Sequence, residues 1–216
     1  MRISHTHKFV FIANQKTASS AIRSSLDEYS DITGISDLDS PYYYHTTASK
    51  LKKHFDEQNW NWNEYFKFSF VRNPWDLAVS HFFYRNKMLK DIITSSDNQW
   101  LGGFFQDAYV SVGFVEWLKK VQGKLTFIDG KVSTQVDMMY DESENCLLDF
   151  VGKFENIEND FKFVCDSVGL HECELGFKNE THHTHYSEYY DDETEKLIYD
   201  LYKADVDAFG YAFNED

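Results

Sequence analysis

Apolar residues recur along the chain in short blocks whose period switches between about 2 and about 3.6. Residues 8–13, Lys-Phe-Val-Phe-Ile-Ala, are rich in β-formers and predict a buried parallel strand. Ile22, Leu26 and Tyr29 then return at helical spacing. A helix is expected from Thr47 to Phe55, and residues 65–71 predict a second, aromatic strand. Asn73 is a plausible N-cap with Pro74 at the first helical position, and Trp75, Val79, Phe82 and Phe83 mark the buried face that follows. Phe114, Trp117, Leu118 and Val121 predict another helix, and Leu147 to Phe154 a further buried strand. Ile157, Phe161, Val164, Cys165 and Val168 predict a helix stopped by Gly169. The last helix is expected to start near Asp191 or Asp192, with Glu195 three residues after Asp192, and to carry Leu197, Ile198, Leu201 and Tyr202 inward. Strands alternating with helices predict an α/β layer fold with a central, mostly parallel sheet flanked by helices. Residues 91–112 and 171–190 read as irregular loops, where substrate contacts are expected. No repeat or Pro/Gly-rich linker interrupts the chain, so residues 1–216 read as one domain.

The net charge of −15 narrows the partners. Nucleic acid and heavily sulfated or phosphorylated polymers, whose binding rests on clustered Lys and Arg that displace counterions, are disfavoured at this charge. A small anion remains compatible, because local cations and helix ends dominate the field inside a pocket. No apolar run reaches the roughly 20 residues of a membrane span and the start lacks a signal-peptide pattern, so a soluble, cytoplasmic protein is expected. Cys146, Cys165 and Cys173 are odd in number and form no C-x-x-C pair, which favours reduced thiols over a disulfide frame or metal site.

Two segments carry the chemistry. In Asn14-Gln15-Lys16-Thr17-Ala18-Ser19-Ser20 a strand breaks into a polar turn before a helix. Such a turn presents backbone N–H groups at the positive end of the helix dipole. Lys16 adds a charge, and Thr17, Ser19 and Ser20 add hydroxyls. The nucleoside-triphosphatase pattern G-x-x-x-x-G-K-[ST] shares that logic, but neither of its glycines is present here. In the second segment Arg72 ends a strand before the capped helix, and Ser80 lies two turns along it on the face of Asp76. Arginine suits forked recognition of phosphate, although Arg72 could instead pair with a carboxylate such as Asp76.

Together these segments resemble the sulfotransferase family that uses 3′-phosphoadenosine 5′-phosphosulfate (PAPS). Gln15-Lys16-Thr17-Ala18-Ser19-Ser20-Ala21 is similar to that family's 5′-phosphosulfate loop. Phe68-Ser69-Phe70-Val71-Arg72-Asn73-Pro74-Trp75-Asp76-Leu77-Ala78-Val79-Ser80 is similar to its 3′-phosphate motif, F-x-x-V-R-[ND]-P-x-[DE]-R-x-x-S. Phe150-Val151-Gly152-Lys153-Phe154-Glu155-Asn156 resembles a later strand with G-R-[FY]-E. The ending from Tyr189 to Tyr211 resembles the C-terminal helix of the carbohydrate branch and its bacterial relatives. Gln15 stands where proline is usual, Ser19 where glycine is common, and Leu77 and Lys153 where arginine is frequent. Ser19 is expected to limit how closely the backbone approaches a phosphate.

The resemblance implies a three-layer, P-loop-like fold and sulfuryl transfer from PAPS to an acceptor hydroxyl on a saccharide or glycolipid, with no metal. It places Lys16, Thr17, Ala18, Ser19 and Ser20 on the 5′-phosphosulfate, with Lys16 stabilising the leaving phosphate. Arg72 and Ser80 would hold the 3′-phosphate, and His185 and Tyr186 would lie near the adenine. His45, between the two motifs, is the first candidate for general base, against the plainer reading of a histidine that caps the next helix or packs on Tyr42-Tyr43-Tyr44. Glu57 and His81 are weaker candidates. Thr181-His182-His183-Thr184-His185 invites a metal reading, but its spacing does not put two ligands on one helical face. Gln135 is a candidate substrate-side residue, and Trp60, Trp62 and Trp100 could stack on sugars or simply be buried. Two alternatives remain open: a nucleotide-binding or interaction protein without turnover, and a P-loop-like kinase. Oligomeric state is not legible.

Overall fold

In the computed structural model, which describes residues 1–94, 112–128, 131–176 and 184–214, the strands in chain order are β1 (Arg2–Ser4), β2 (Phe9–Ile12), β3 (Ile32–Thr33), β4 (Phe66–Val71), β5 (Phe127–Ile128), β6 (Lys131–Val132) and β7 (Phe150–Lys153). The α-helices are α1 (Ser19–Leu26), α2 (Ala48–Glu57), α3 (Pro74–Thr94), α4 (Phe114–Lys120), α5 (Ile157–Ser167), α6 (Asp192–Leu201) and α7 (Lys203–Phe209). β5 and β6 pair with each other. The other five strands form one sheet in the order β3-β1-β2-β4-β7.

The sheet is mixed rather than mostly parallel. β2, β4 and β7 pair in parallel, whereas β1 is antiparallel to both β2 and β3. The reason is local: only residues 5–8 join β1 to β2, and so short a link cannot make a parallel crossover. Asp31 braces that turn by accepting from the His5 N–H at 2.5 Å and the Thr6 N–H at 3.2 Å.

The chain divides into two units, residues 1–72 with 133–180 and residues 73–132 with 181–216. The first holds the five-stranded sheet, α1, α2 and α5. All four residues of β2 are buried, as a central parallel strand requires. Phe9, Phe11, Phe68 and Phe70 pack with Ile22 and Leu26 of α1 and Phe161 and Val164 of α5. Phe11 stacks on Phe68 with ring centroids 5.2 Å apart. Gly152 lies opposite Phe70 in the β4–β7 register, and a Cβ there would sit 2.6 Å from Phe70 Cε1. Gly152→Ala is therefore expected to destabilise the fold by about 1–3 kcal/mol through overpacking, measured as a lower denaturant midpoint at constant slope.

The second unit holds α3, α4, α6, α7 and the β5–β6 pair. Trp75, Val79, Phe82, Trp117, Ile198 and Tyr202 form the centre of its core. The expected cap of α3 is present: Asn73 Oδ1 accepts from the Trp75 N–H at 3.0 Å. α3 continues to Thr94, into the stretch expected to be irregular. Residues 95–111 and Trp100 lie outside the described residues. Asp191 caps α6 in a capping box with Thr194, rather than Asp192 with Glu195. The last helix is broken at Tyr202, whose hydroxyl donates to Gly123 O at 3.1 Å and accepts from the Leu125 N–H at 3.0 Å. The expected strand at 147–154 is shorter, Phe150–Lys153, and lies at the sheet edge. Cys146, Cys165 and Cys173 are free thiols.

Candidate active site

The turn after β2 is fastened from beneath. Asn14 is buried, and its Nδ2 donates to Phe70 O at 3.0 Å and Ser69 Oγ at 3.3 Å at the end of β4. Thr17 is fully buried and its hydroxyl donates back to Asn14 O at 3.2 Å, so it organises the turn. Lys16 and Ala18 adopt left-handed conformations, φ 60° and 55°. Ala18 is the N-cap of α1; no side chain caps the helix, and its first turn holds no acidic residue. The positive end of α1 is thus left to whatever anion approaches it. Ser19 is buried within the first turn and Ser20 is exposed beside it.

The backbone demand falls at positions 16 and 18 rather than at Ser19, where glycine was the sequence-based concern. A left-handed non-glycine residue costs roughly 1–2 kcal/mol. Ala18→Gly is expected to stabilise the fold by about 1 kcal/mol, raising Tm by roughly 2–4 °C in calorimetry. An unchanged or lower Tm would mean that the turn does not strain Ala18.

Arg72 follows β4 directly and is buried. Its Nη1 donates to Lys16 O at 3.1 Å, and its guanidinium lies 3.9 Å from the centre of the Phe154 ring. Lys16 and Arg72, the two cations expected on separate phosphate groups, are thus tied together through the Lys16 backbone carbonyl just before α1. Arg23 adds a third: Nε donates to Ser19 O and Nη2 to Ser20 Oγ, each at 3.2 Å. Sequence reasoning missed Asn14 as an anchor, Phe154 as a stacking partner and Arg23 altogether. Only Arg23's place one turn into α1 could have flagged it.

His45 sits beside the same turn. Its Nδ1 is 2.7 Å from Ala13 O, so Nδ1 carries the proton and Nε2 is left as the ring's acceptor. Burial lowers the imidazole pKa to about 4, against the opposing pull of the Ala13 carbonyl; the N-terminal ammonium and Arg23 lower it further. The ring is neutral at pH 7. His45 does not cap α2, a role Thr47 performs by accepting from the Lys50 N–H. It does contact Tyr43, edge to face at 5.9 Å.

In the second unit Ser80 is buried on α3. His185 is exposed and caps the short helix Tyr186–Tyr189, its Nδ1 2.7 Å from Ser187 Oγ. Tyr186 is buried under the His185 ring, and its hydroxyl donates to Phe213 O at 2.6 Å while accepting from Asn73 Nδ2 at 3.2 Å. The Tyr186 hydroxyl is thereby engaged with backbone and cap. His182 and His183 lie outside the described residues. Among the described residues no cluster of His, Cys, Asp or Glu could hold a metal ion.

The weaker candidates find plainer places. Glu57 is exposed and 3.6 Å from His54 Nδ1, and His81 lies on α3. Trp62 is buried with its Nε1 donating to Leu147 O at 3.4 Å, and Trp60 packs edge to face on His5 and Phe55. Gln135, expected on the substrate side, is buried against the Arg72 backbone. Among the described residues no helix is long and apolar enough to cross a membrane.

A family model described as the sulfotransferase family matches residues 1–212. Neither the curated proteins nor the solved structures compared with the chain include a match. With that match running through both strand–turn–helix segments and nearly the whole sequence, the chain belongs to the sulfotransferase family.

Proposed function

We propose that this chain moves the sulfuryl group of PAPS to an acceptor hydroxyl on a saccharide or glycolipid. Sulfuryl transfer itself follows from family membership; the donor and the acceptor class are the finer reading. The donor supplies an S–O bond to a phosphate leaving group, so that transfer to the acceptor oxygen releases adenosine 3′,5′-bisphosphate.

The observation that carries this reading is the Arg72–Lys16 contact at the uncapped head of α1. A helix end without a cap or an acid, with lysine and arginine beside it, fits a ligand bearing two separated phosphate groups. Lys16 and the N–H groups of Thr17, Ala18, Ser19 and Ser20 would hold the 5′ side, with Lys16 set against charge on the departing oxygen. Arg72 and Ser80 would hold the 3′-phosphate. His185 would border the adenine, with Tyr186 supporting it from below. His45 Nε2 would take the acceptor proton. The net charge of −15 favours acceptors of low negative charge. We read residues 1–216 as one P-loop-like catalytic domain, since the family match runs through both units, and as cytoplasmic.

The test is release of adenosine 3′,5′-bisphosphate from PAPS with a panel of neutral saccharides, glycolipids and phenols, with ATP as the alternative donor, and mass spectrometry of the products. Acceptor-dependent release with a sulfated saccharide supports the reading. Release with phenols alone overturns the acceptor class. Bisphosphate binding without release for any acceptor favours a binding protein without turnover, and phosphoryl transfer from ATP favours a kinase.

A further inference from the structure

β4 ends at Val71, which pairs with Lys153 in the last rung of the β4–β7 ladder. α3 begins at Pro74. Arg72 thus lies between the last rung of the ladder and the first residue of the helix, and it is buried, where N–H and C=O groups require partners. The Gln135 side chain supplies them. Its Oε1 accepts from the Arg72 N–H at 2.8 Å, and its Nε2 donates to the Arg72 carbonyl at 2.8 Å. Gln135 is itself buried. A double exchange of this kind is what a facing strand residue makes in a hydrogen-bonded antiparallel pair.

We infer that Gln135 is a positioning residue for Arg72. By extending the bonded backbone one residue beyond β4, it fixes the direction in which the Arg72 side chain leaves the main chain. Phe154 and Lys16 O then fix the guanidinium at the far end. The amide acts through Arg72, so its effect is confined to what Arg72 recognises. This rests on the reading above that Arg72 binds the 3′-phosphate. A purely structural glutamine would cost stability and leave ligand preference alone; a positioning one costs preference for the 3′-phosphorylated nucleotide.

The test compares dissociation constants for adenosine 3′,5′-bisphosphate and adenosine 5′-monophosphate. The proteins are the wild type, Gln135→Leu, Gln135→Glu, Arg72→Ala and the Arg72→Ala/Gln135→Glu double variant. Gln135→Leu is expected to reduce the preference for the bisphosphate about tenfold, the scale of one charge-assisted hydrogen bond, with monophosphate affinity nearly constant. Gln135→Glu keeps the acceptor for the Arg72 N–H and is expected to lose less, which holds the test open should the leucine variant not fold. In the Arg72→Ala background Gln135→Glu is expected to add no further loss. Full preference in a folded Gln135 variant, or an additive loss in the double variant, overturns the inference alone. A wild type without preference for the bisphosphate overturns the donor reading and this inference with it.

Discussion

Lys16→Ala is expected to lower kcat by about 100- to 1,000-fold while the acceptor KM stays within about twofold. Lys16 occupies a left-handed turn whose carbonyl is held by Arg72, and its neighbours lead directly into the uncapped first turn of α1. In sulfuryl transfer the leaving phosphate gains negative charge as the S–O bond opens. A cation aimed at that oxygen binds the transition state more tightly than the ground state, and so acts on kcat. Removing one such preorganised donor costs roughly 10²–10³ in other acyl- and group-transfer sites. Lys16→Arg should recover only part of the loss, because a guanidinium is planar and larger than an ammonium. Steady-state kinetics with a fixed acceptor decide it. Unchanged turnover in Lys16→Ala removes the residue from the leaving-group role.

His45→Gln is expected to reduce kcat by about 10²–10⁴, the range for a positioned general base, with donor binding little changed. The pH dependence is the sharper check. Because burial holds the His45 pKa near 4, the neutral imidazole is already present at pH 5. Activity should therefore show no acid limb near 6.5 and fall only as pH approaches about 4. A limb centred near 6.5 in the wild type would contradict this. A base this weak would suffice for a loose transition state, in which the acceptor oxygen is little bonded when the leaving group departs and its proton moves late.

The same shift acts on stability. Between about pH 4 and 6.5 the unfolded chain binds a proton at His45 and the folded chain does not, so stability rises with pH across that window. The contribution is present above pH 6.5 and is lost as pH falls toward 4, with a magnitude on the order of 3 kcal/mol. His45→Gln should flatten that part of the stability profile in urea titrations at successive pH values.

Long periodic stretches were legible in the sequence. The aromatic strand ending at Val71, the Asn73 cap and the helix face of Trp75, Val79 and Phe82 all lie where their patterns put them. β1 and β3 were not legible. Each is two or three residues long, and neither Arg2-Ile3-Ser4 nor Ile32-Thr33 holds enough alternation to signal a strand. Their pairing comes from tertiary contacts, and with it the mixed character of the sheet. Tyr202 reads as one more inward residue of the last helix, because its contacts with Gly123 and Leu125 are remote in sequence.

The site divides in the same way. Lys16 and Arg72 stood out by residue type and by their place after strands, and His45 by residue type and by its place between the two motifs. Their mutual arrangement did not. The contact between Arg72 and the Lys16 carbonyl, and the hold of Gln135 on the Arg72 backbone, join residues 56 and 63 positions apart in the chain. Thr17 looked like a phosphate donor from its hydroxyl, yet in the folded chain that hydroxyl closes the turn onto Asn14. Tyr186 likewise looked like an adenine contact and instead ties its hydroxyl to Phe213 O and Asn73. A polar group's spacing reveals what it could bind; only the fold reveals what it already does.

The central claim is that Lys16 and Arg72, tied through the Lys16 carbonyl just before α1, select a nucleotide phosphorylated at both its 3′ and 5′ positions. Isothermal calorimetry with adenosine 3′,5′-bisphosphate, ATP and adenosine 5′-monophosphate, all without metal, tests it most directly. The account predicts tightest binding of the bisphosphate and a large loss when the 3′-phosphate is removed. Equal affinity for the bisphosphate and the monophosphate, or preference for ATP, would contradict it.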